Sequence, residues 1–321
     1  MRAVQVVRLD GPGALEVADI AAPQRGSSQV LVDIKASGVT FPDALLTRGR
    51  YQMKPELPFV PGSEIAGVVL EAPADAQVRP GDRVAAFSGL GGFAEQVAVD
   101  ADMVFALPDQ LSFASGAGLP MNYLTVQFAL MRRGQLRPEE TVLVHGAAGG
   151  VGTAGIQVAK ALGAHVIAVV STAAKGEVAR KARADDVVDA EGFLPVVREL
   201  TGGRGVDVVL DPVGGDRFTD SLRSLAPEGR LLVLGFTGGE IPTVKVNRLL
   251  LNNIDVRGVG WGAFALGRPH YLQQQWSELL PHLESGALDP PQGNSYPLER
   301  AAEAVAELEE RRASGKVVLE Q

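Results

Sequence analysis

The chain has no cysteine among its 321 residues. That absence removes disulfides, thiolate nucleophiles and every cysteine-based zinc site at once. Histidine is scarce too. His145, His165, His270 and His282 are the only four, and none pairs with another at metal-ligand spacing. Positive charge is in deficit, with 30 Lys and Arg against 38 Asp and Glu and a formal charge of -8, which argues against a nucleic-acid partner. No segment reaches the roughly 18 uninterrupted apolar residues that a membrane helix needs, so no membrane partner is expected. Charges at Arg2, Arg8 and Asp10 interrupt the region where a secretory signal carries its apolar run. The expectation is a soluble, cytoplasmic protein. No internal repeat is visible.

What is present is most informative at Thr141-Val-Leu-Val-His-Gly-Ala-Ala-Gly-Gly-Val-Gly152. A short β-branched strand runs into a glycine-dense turn. A helical pattern follows at once, with Val151, Ala154, Val158, Ala161 and Leu162 on one stripe. Gly146, Gly149 and Gly152 can bring bare backbone N–H groups against a pyrophosphate, and the helix N-terminus adds a favourable dipole. Gly155 leaves room for the helix to lie close on a sheet. A glycine trio alone serves any tight strand-to-helix turn. The strand over His165 to Val170 completes a strand–helix–strand unit of dinucleotide-binding size.

The length suggests two domains, and 46% hydrophobic residues suffice for their cores. Residues 1–118 are β-rich, with strands expected at Val4–Val7, Val30–Ile34, Ile65–Leu70, Val84–Phe87 and Phe93–Val99 between Gly, Pro and Asp clusters. From 119 to about 264 strands alternate with helices. The strands fall at Val142–His145, Val166–Val170, Asp186–Val188, Val206–Leu210 and Arg230–Leu234, with helices over 151–162, 173–182, 192–200 and 215–224. That alternation predicts a doubly wound parallel sheet, so the fold class is α/β. Beyond 265 come helices at Tyr271–Ser285 and Leu298–Arg311, and a last strand at Lys316–Leu319.

Several stretches carry a family resemblance, in order along nearly the whole chain. They are Gly38-Val-Thr-Phe-Pro-Asp43, Arg48-Gly-Arg-Tyr51, Leu57-Pro-Phe-Val-Pro-Gly-Ser-Glu64, Pro80-Gly-Asp-Arg-Val84, the glycine turn and Gly315-Lys-Val-Val-Leu319. Together they resemble the medium-chain dehydrogenase/reductase superfamily. Asp211-Pro-Val-Gly-Gly-Asp216 and Gly229-Arg-Leu-Leu-Val-Leu-Gly-Phe236 are similar to its zinc-free quinone oxidoreductase, zeta-crystallin-like branch. Val244-Lys-Val-Asn-Arg-Leu-Leu-Leu-Asn-Asn253 and Gly260-Trp-Gly262 resemble actinobacterial and mycobacterial quinone-reductase-like proteins. The resemblance implies a GroES-like catalytic domain, discontinuous over 1–118 and 265–321, around a Rossmann cofactor-binding domain at 119–264.

Zinc alcohol dehydrogenases of the superfamily hold their metal with a Cys in the first motif and a His in the Gly-x-Glu motif. Here those positions read Thr40 and Ser63, and hydroxyls are poor zinc ligands. No metal is expected. Glu64 then reads as a structural acid with a local arginine or backbone partner. An NAD site normally ends its second strand in Asp or Glu. This chain has Val170, Ser171 and, one turn on, Lys175, which suits the 2′-phosphate of NADPH. Relatives often place a Tyr at position 190, here Ala190, to enclose that phosphate.

By resemblance, Thr125 bonds the nicotinamide amide, and cofactor contacts extend over Gly146, Gly149, Gly150, Val151, Gly152, Gly235, Phe236 and Lys316. Thr40 stands where many relatives carry an Asn near the cofactor. Tyr51 occupies the position of a proton donor in related enoyl-thioester reductases, or else forms an apolar wall. Trp261 is either a stacking surface for substrate or a packing residue. His145 is either a catalyst or, more in keeping with its place at a strand end, a packing residue of the turn. The resulting expectation is an NADPH-dependent quinone oxidoreductase acting on a quinone or similar conjugated carbonyl. One alternative is a 2-enal or enoyl-thioester reductase, for which Arg48, Arg50 and Lys54 could form a phosphate-binding patch. Another is a non-catalytic NADPH-binding structural protein. The run Leu249–Leu251 and a strand at Ile254–Gly258 suggest a sheet edge able to pair two copies into a homodimer.

Overall fold

The computed structural model describes all 321 residues. The chain divides into two compact units. The first holds residues 1–122, 269–284 and 292–321, and the second holds 123–268 and 285–291.

The first unit is built on a seven-stranded sheet. Its long central strand, Gln29–Gly38, buries Val30, Val32, Ile34 and Ala36 on one face by strict alternation. Antiparallel neighbours are Glu64–Glu71 and Gln96–Asp100, and the sheet continues through Arg83–Phe87 to Val104–Ala106. On the other side the C-terminal strand Lys316–Glu320 pairs antiparallel with Gln29–Gly38 and parallel with Gln292–Pro297. The two C-terminal strands therefore complete a sheet begun by strands of the first 106 residues, which makes this unit discontinuous. A Val/Ile cluster (Val32, Ile34, Ile65, Val69, Val84, Val97) fills one core. A second core joins Val4, Val39 and Phe93 to Ala301, Ala304 and Val305 of the helix Ala301–Glu309. Arg2–Val6 and Leu15–Asp19 form a separate hairpin.

The second unit is a six-stranded sheet paired parallel throughout. In chain order its strands are Thr141–Val144, His165–Val170, Asp186–Asp189, Val206–Asp211, Leu225–Val233 and Asp255–Gly258. In space they run third, second, first, fourth, fifth, sixth, the order of a dinucleotide-binding Rossmann sheet. Every residue of Val206–Asp211 is buried, as expected for a parallel strand covered on both faces. The reason for the glycine at 155 is visible here. A Cβ on it would stand 2.4 Å from Leu210 Cδ2, so the helix Gly150–Ala161 could not approach the sheet. The segment 285–291 joins this unit through polar contacts. Gln157 Nε2 donates to Asp289 O at 2.6 Å and Asp289 N donates back to Gln157 Oε1 at 3.0 Å, while Arg183 donates to Gly286 O at 2.8 Å.

Several elements lie outside the sequence-based expectation. Gln292–Pro297 is a strand despite the polar run Gln-Gly-Asn-Ser. Its partner strand, not its own pattern, imposes the extended form. Phe41–Thr47 is a short helix inside the first family motif, and Pro120–Gln127 continues as a π-helical turn over Phe128–Arg133. The strand expected at Arg230 begins five residues earlier, at Leu225.

Candidate active site

In the first unit, Thr40 caps the helix Phe41–Thr47 with a capping box. Its Oγ1 donates to Asp43 Oδ2 at 2.6 Å, and its N–H reaches the same oxygen at 2.8 Å. Gly62 N donates to Asp43 Oδ1 at 3.0 Å. Asp43 is fully buried, and burial pushes its carboxyl up against the downward pull of these donors. Thr40 Oγ1 lies 3.4 Å from Ser63 Oγ. The fold thus brings together the two positions where zinc relatives place ligands, and both carry hydroxyls. No group of three or more His, Asp and Glu side chains in the chain is arranged to hold a metal.

Glu64 has the structural role expected, but its side-chain partner is a lysine instead of an arginine. Lys316 Nζ donates to Glu64 Oε1 at 2.5 Å and to Val39 O at 3.0 Å, while Met121 N donates to Glu64 Oε2 at 2.7 Å. Both side chains are almost fully buried. Burial raises the Glu64 carboxyl, and the ammonium opposes that shift. Lys316, expected among the cofactor contacts, therefore has two of its three donors committed within this unit. The pair ties the last strand to Glu64–Glu71 and to the first turn of Pro120–Gln127.

Tyr51 is half-buried against Val6, Leu46 and Phe59. Its hydroxyl makes no hydrogen bond within the protein. Burial, and less strongly the Asp43 carboxylate, push its phenol up, so it stays protonated at neutral pH. Arg48, one of the three cations expected to serve phosphates near Tyr51, is occupied. It grips Glu309 with Nε on Oε1 and Nη2 on Oε2 at 2.9 Å, and its Nη1 reaches Asp10 O. Lys54 caps the Gly49 carbonyl. Pairing with Glu309 thereby takes Arg48 out of the proposed basic patch, which keeps the charges of Arg50 and Lys54.

In the second unit, the strand Thr141–Val144 delivers the glycine turn. Gly146 has φ +58°, a left-handed conformation that favours glycine. A Cβ on Gly152 would lie 2.2 Å from Gly146 O, so only glycine closes the turn. Gly149 differs. It has an ordinary extended backbone and a Cβ there would meet nothing nearer than Gly146 O at 3.5 Å. The protein's own packing does not require glycine at 149, whereas close approach of a diphosphate does. Gly149, Gly150 and Val151 open the helix Gly150–Ala161 and are all partly accessible, which presents the N–H groups of its first turn. These residues fit a dinucleotide.

Val170 ends the second strand, buried, with Ala190 beside it through Ala190 N to Val170 O at 2.7 Å. Position 190 is thus adjacent to the strand end. Ser171 is exposed. Thr172 caps the helix Ala173–Lys181 by accepting from Lys175 N at 3.3 Å. Asp211 Oδ1 accepts from Val213 N and Gly214 N at 2.8 and 2.9 Å, which shapes the turn after the fourth strand. Phe236 beyond the fifth strand is exposed and Gly235 partly so. Thr125 sits half-buried on Pro120–Gln127.

His145 packs. Ser221 Oγ donates to Arg217 O at 3.0 Å, so His145 Nε2 carries the proton donated to Ser221 Oγ at 2.8 Å. Its Nδ1 has no partner, and Phe193 meets the ring edge-on. Burial pushes its pKa down to about 4. Trp261 is also a packing residue at 4% exposure, which leaves little ring surface for stacking on a substrate.

A parallel sheet of this strand order, with this turn and a GroES-type β unit carrying hydroxyls at the metal positions, defines a dinucleotide-dependent oxidoreductase of the medium-chain kind. Residues 26–109 match the alcohol dehydrogenase GroES-like domain family and 150–285 the zinc-binding dehydrogenase family. Rat quinone oxidoreductase-like protein 2 is 40% identical over 95% of this chain and 88% of its own. A probable oxidoreductase from Mycobacterium abscessus is 47% identical with a TM-score of 0.91, covering 100% of this chain and 99% of that one. Escherichia coli quinone oxidoreductase, solved in complex with NADPH, is 30% identical with a TM-score of 0.90, covering 100% of both chains. The chain belongs to the zinc-free quinone oxidoreductase family of medium-chain dehydrogenase/reductases. It is an oxidoreductase, and its cofactor is NADPH.

Proposed function

We propose that this protein transfers hydride from NADPH to a quinone or similarly conjugated carbonyl, without zinc, as a cytoplasmic homodimer. Catalysis is assigned to the first unit and coenzyme binding to the second. The observation that carries the reading is the pairing of Thr40 and Ser63, 3.4 Å apart, with a protonated phenol at Tyr51. Two hydroxyls are poor ligands for the Lewis-acid metal through which the zinc relatives form an alkoxide, while hydride acceptors whose product anion is delocalised need no such metal.

Gly146, Gly149, Gly150, Val151 and Gly152 would hold the diphosphate, Ser171 and Lys175 the 2′-phosphate, and Thr125 the nicotinamide amide, with Gly235 and Phe236 completing the contacts. When bound, NADPH supplies the hydride. The chain's own contribution is orientation and proton handling. Thr40 has its proton committed to Asp43, so its oxygen is left as an acceptor. Tyr51 has a free O–H to donate to a product oxyanion.

The enoyl-thioester alternative loses support at its expected phosphate patch, because Arg48 is paired with Glu309. The deciding experiment is NADPH turnover on a quinone panel against an enal and enoyl-CoA panel, with Tyr51→Phe alongside. A reduced quinone leaves a stabilised oxyanion that solvent protonates, so the change should cost less than about tenfold in kcat/KM, below the usual range for a lost general acid. A high wild-type rate on an enoyl substrate, with a loss above about a hundredfold in Tyr51→Phe, would replace the quinone reading with the enoyl one.

A further inference from the structure

In the second unit one buried hydrogen bond joins two helices. Tyr123 lies on the helix Pro120–Gln127 and Gln157 on the helix Gly150–Ala161. The Tyr123 hydroxyl donates to Gln157 Oε1 at 2.6 Å, and the two side chains are only 1% and 2% exposed. The backbone of Asp289 settles which atom is the donor. Its N–H gives to Gln157 Oε1 at 3.0 Å, and its carbonyl takes from Gln157 Nε2 at 2.6 Å. The amide can therefore stand only one way round, and its oxygen accepts from the phenol. Burial pushes the Tyr123 phenol well up, so it keeps that proton.

Each end of this bond sits on an element assigned to one end of the coenzyme. Gln157 lies about two turns beyond Gly150 on its helix, whose opening residues are assigned to the diphosphate. Along Pro120–Gln127 every residue is buried except Met121 and Thr125. These are four apart and share one stripe. Tyr123, midway between them, projects from the opposite side, about 200° away. The bond therefore holds this helix by its back, while Thr125 lies on its front. A short buried contact at the back fixes both the height and the rotation of the front.

We propose that Tyr123 and Gln157 are positioning residues for the nicotinamide end of NADPH. Their hydrogen bond sets the place of Thr125 relative to the diphosphate turn, and so the reach of the site between the two ends of the coenzyme. The proposal rests on the assignment of Thr125 to the nicotinamide amide and is independent of the hydride acceptor.

The test is calorimetric titration of NADPH and of 2′-phospho-ADP-ribose, the same molecule without its nicotinamide. Tyr123→Phe keeps the ring and leaves both Gln157–Asp289 bonds in place. It should weaken NADPH about threefold to tenfold, a loss bounded by the worth of one hydrogen bond, and leave the truncated ligand unchanged. Gln157→Met removes the same acceptor from the other side and should give the same split. Thr125→Val checks the underlying assignment and should also weaken NADPH alone. If Thr125→Val does so while Tyr123→Phe and Gln157→Met bind NADPH as the wild type does, the proposal is overturned and the Thr125 assignment stands. Equal weakening of both ligands in Tyr123→Phe also overturns it, because that marks damage to the whole site. If Thr125→Val leaves NADPH binding unchanged, the Thr125 assignment fails and the proposal falls with it.

Discussion

We assign the cofactor preference, at the residue scale, to Lys175. Val170 removes the acid that would read the ribose hydroxyls, and the lysine supplies positive charge one turn on. A charge-assisted contact contributes roughly 1.5–3 kcal/mol, about ten- to over a hundredfold in affinity. Lys175→Ala should therefore narrow the kcat/KM ratio of NADPH to NADH by at least about tenfold, and equal values in the wild type would reject the assignment. His145 governs a different property. Its folded pKa of about 4 lies below the ordinary 6.5, so the unfolded chain binds the proton first as pH falls. Stability from this residue is complete above pH 6.5 and declines down to pH 4, by up to about 1.4 kcal/mol per pH unit. His145→Gln should flatten that decline, seen as closer urea midpoints at pH 7 and pH 5 than in the wild type. Parallel pH profiles for the two proteins would remove His145 from the account.

At the scale of elements, the glycine turn separates two kinds of glycine. Gly152 and Gly155 are required by packing, since a Cβ would meet Gly146 O or Leu210 at 2.2 and 2.4 Å. Gly149 has room and an allowed backbone. Gly149→Ala should thus keep the melting temperature while weakening NADPH binding by about tenfold or more, because a methyl group would stand where the diphosphate approaches. Unchanged affinity, measured by NADPH fluorescence, would show that the diphosphate does not approach there. The turn and its flanking strand and helix were legible because spacing and glycine content are local. The strand Gln292–Pro297 was not. Nothing in Gln-Gly-Asn-Ser favours an extended chain, and its pairing with Lys316–Glu320 decides it. The partner of Glu64 was illegible for the same reason, since Lys316 lies 252 residues away.

For the whole molecule, the acidic surface and the absence of any helix long and apolar enough to cross a membrane leave one apolar region unexplained. Val246, Leu250 and Leu251 are 72%, 76% and 74% exposed, beside the edge strand Asp255–Gly258. Exposed leucines next to an unpaired sheet edge invite a second copy. Light scattering at micromolar protein should give twice the 33.7 kDa chain mass, and Leu250→Lys/Leu251→Lys should shift it toward monomer. A monomeric wild type would reject the homodimer.

By itself the sequence determined the class of fold, the glycine turn, the missing zinc ligands and the missing acid at the end of the second strand. Each of these is a matter of residue identity at a fixed spacing, and spacing survives without coordinates. Only the tertiary structure decided that Thr40 gives its proton to Asp43, that Arg48 is spent on Glu309, that Lys316 is held by Glu64, and that Trp261 is buried. Those outcomes depend on which distant segments meet, and a side chain's chemistry is set by the partner it meets there.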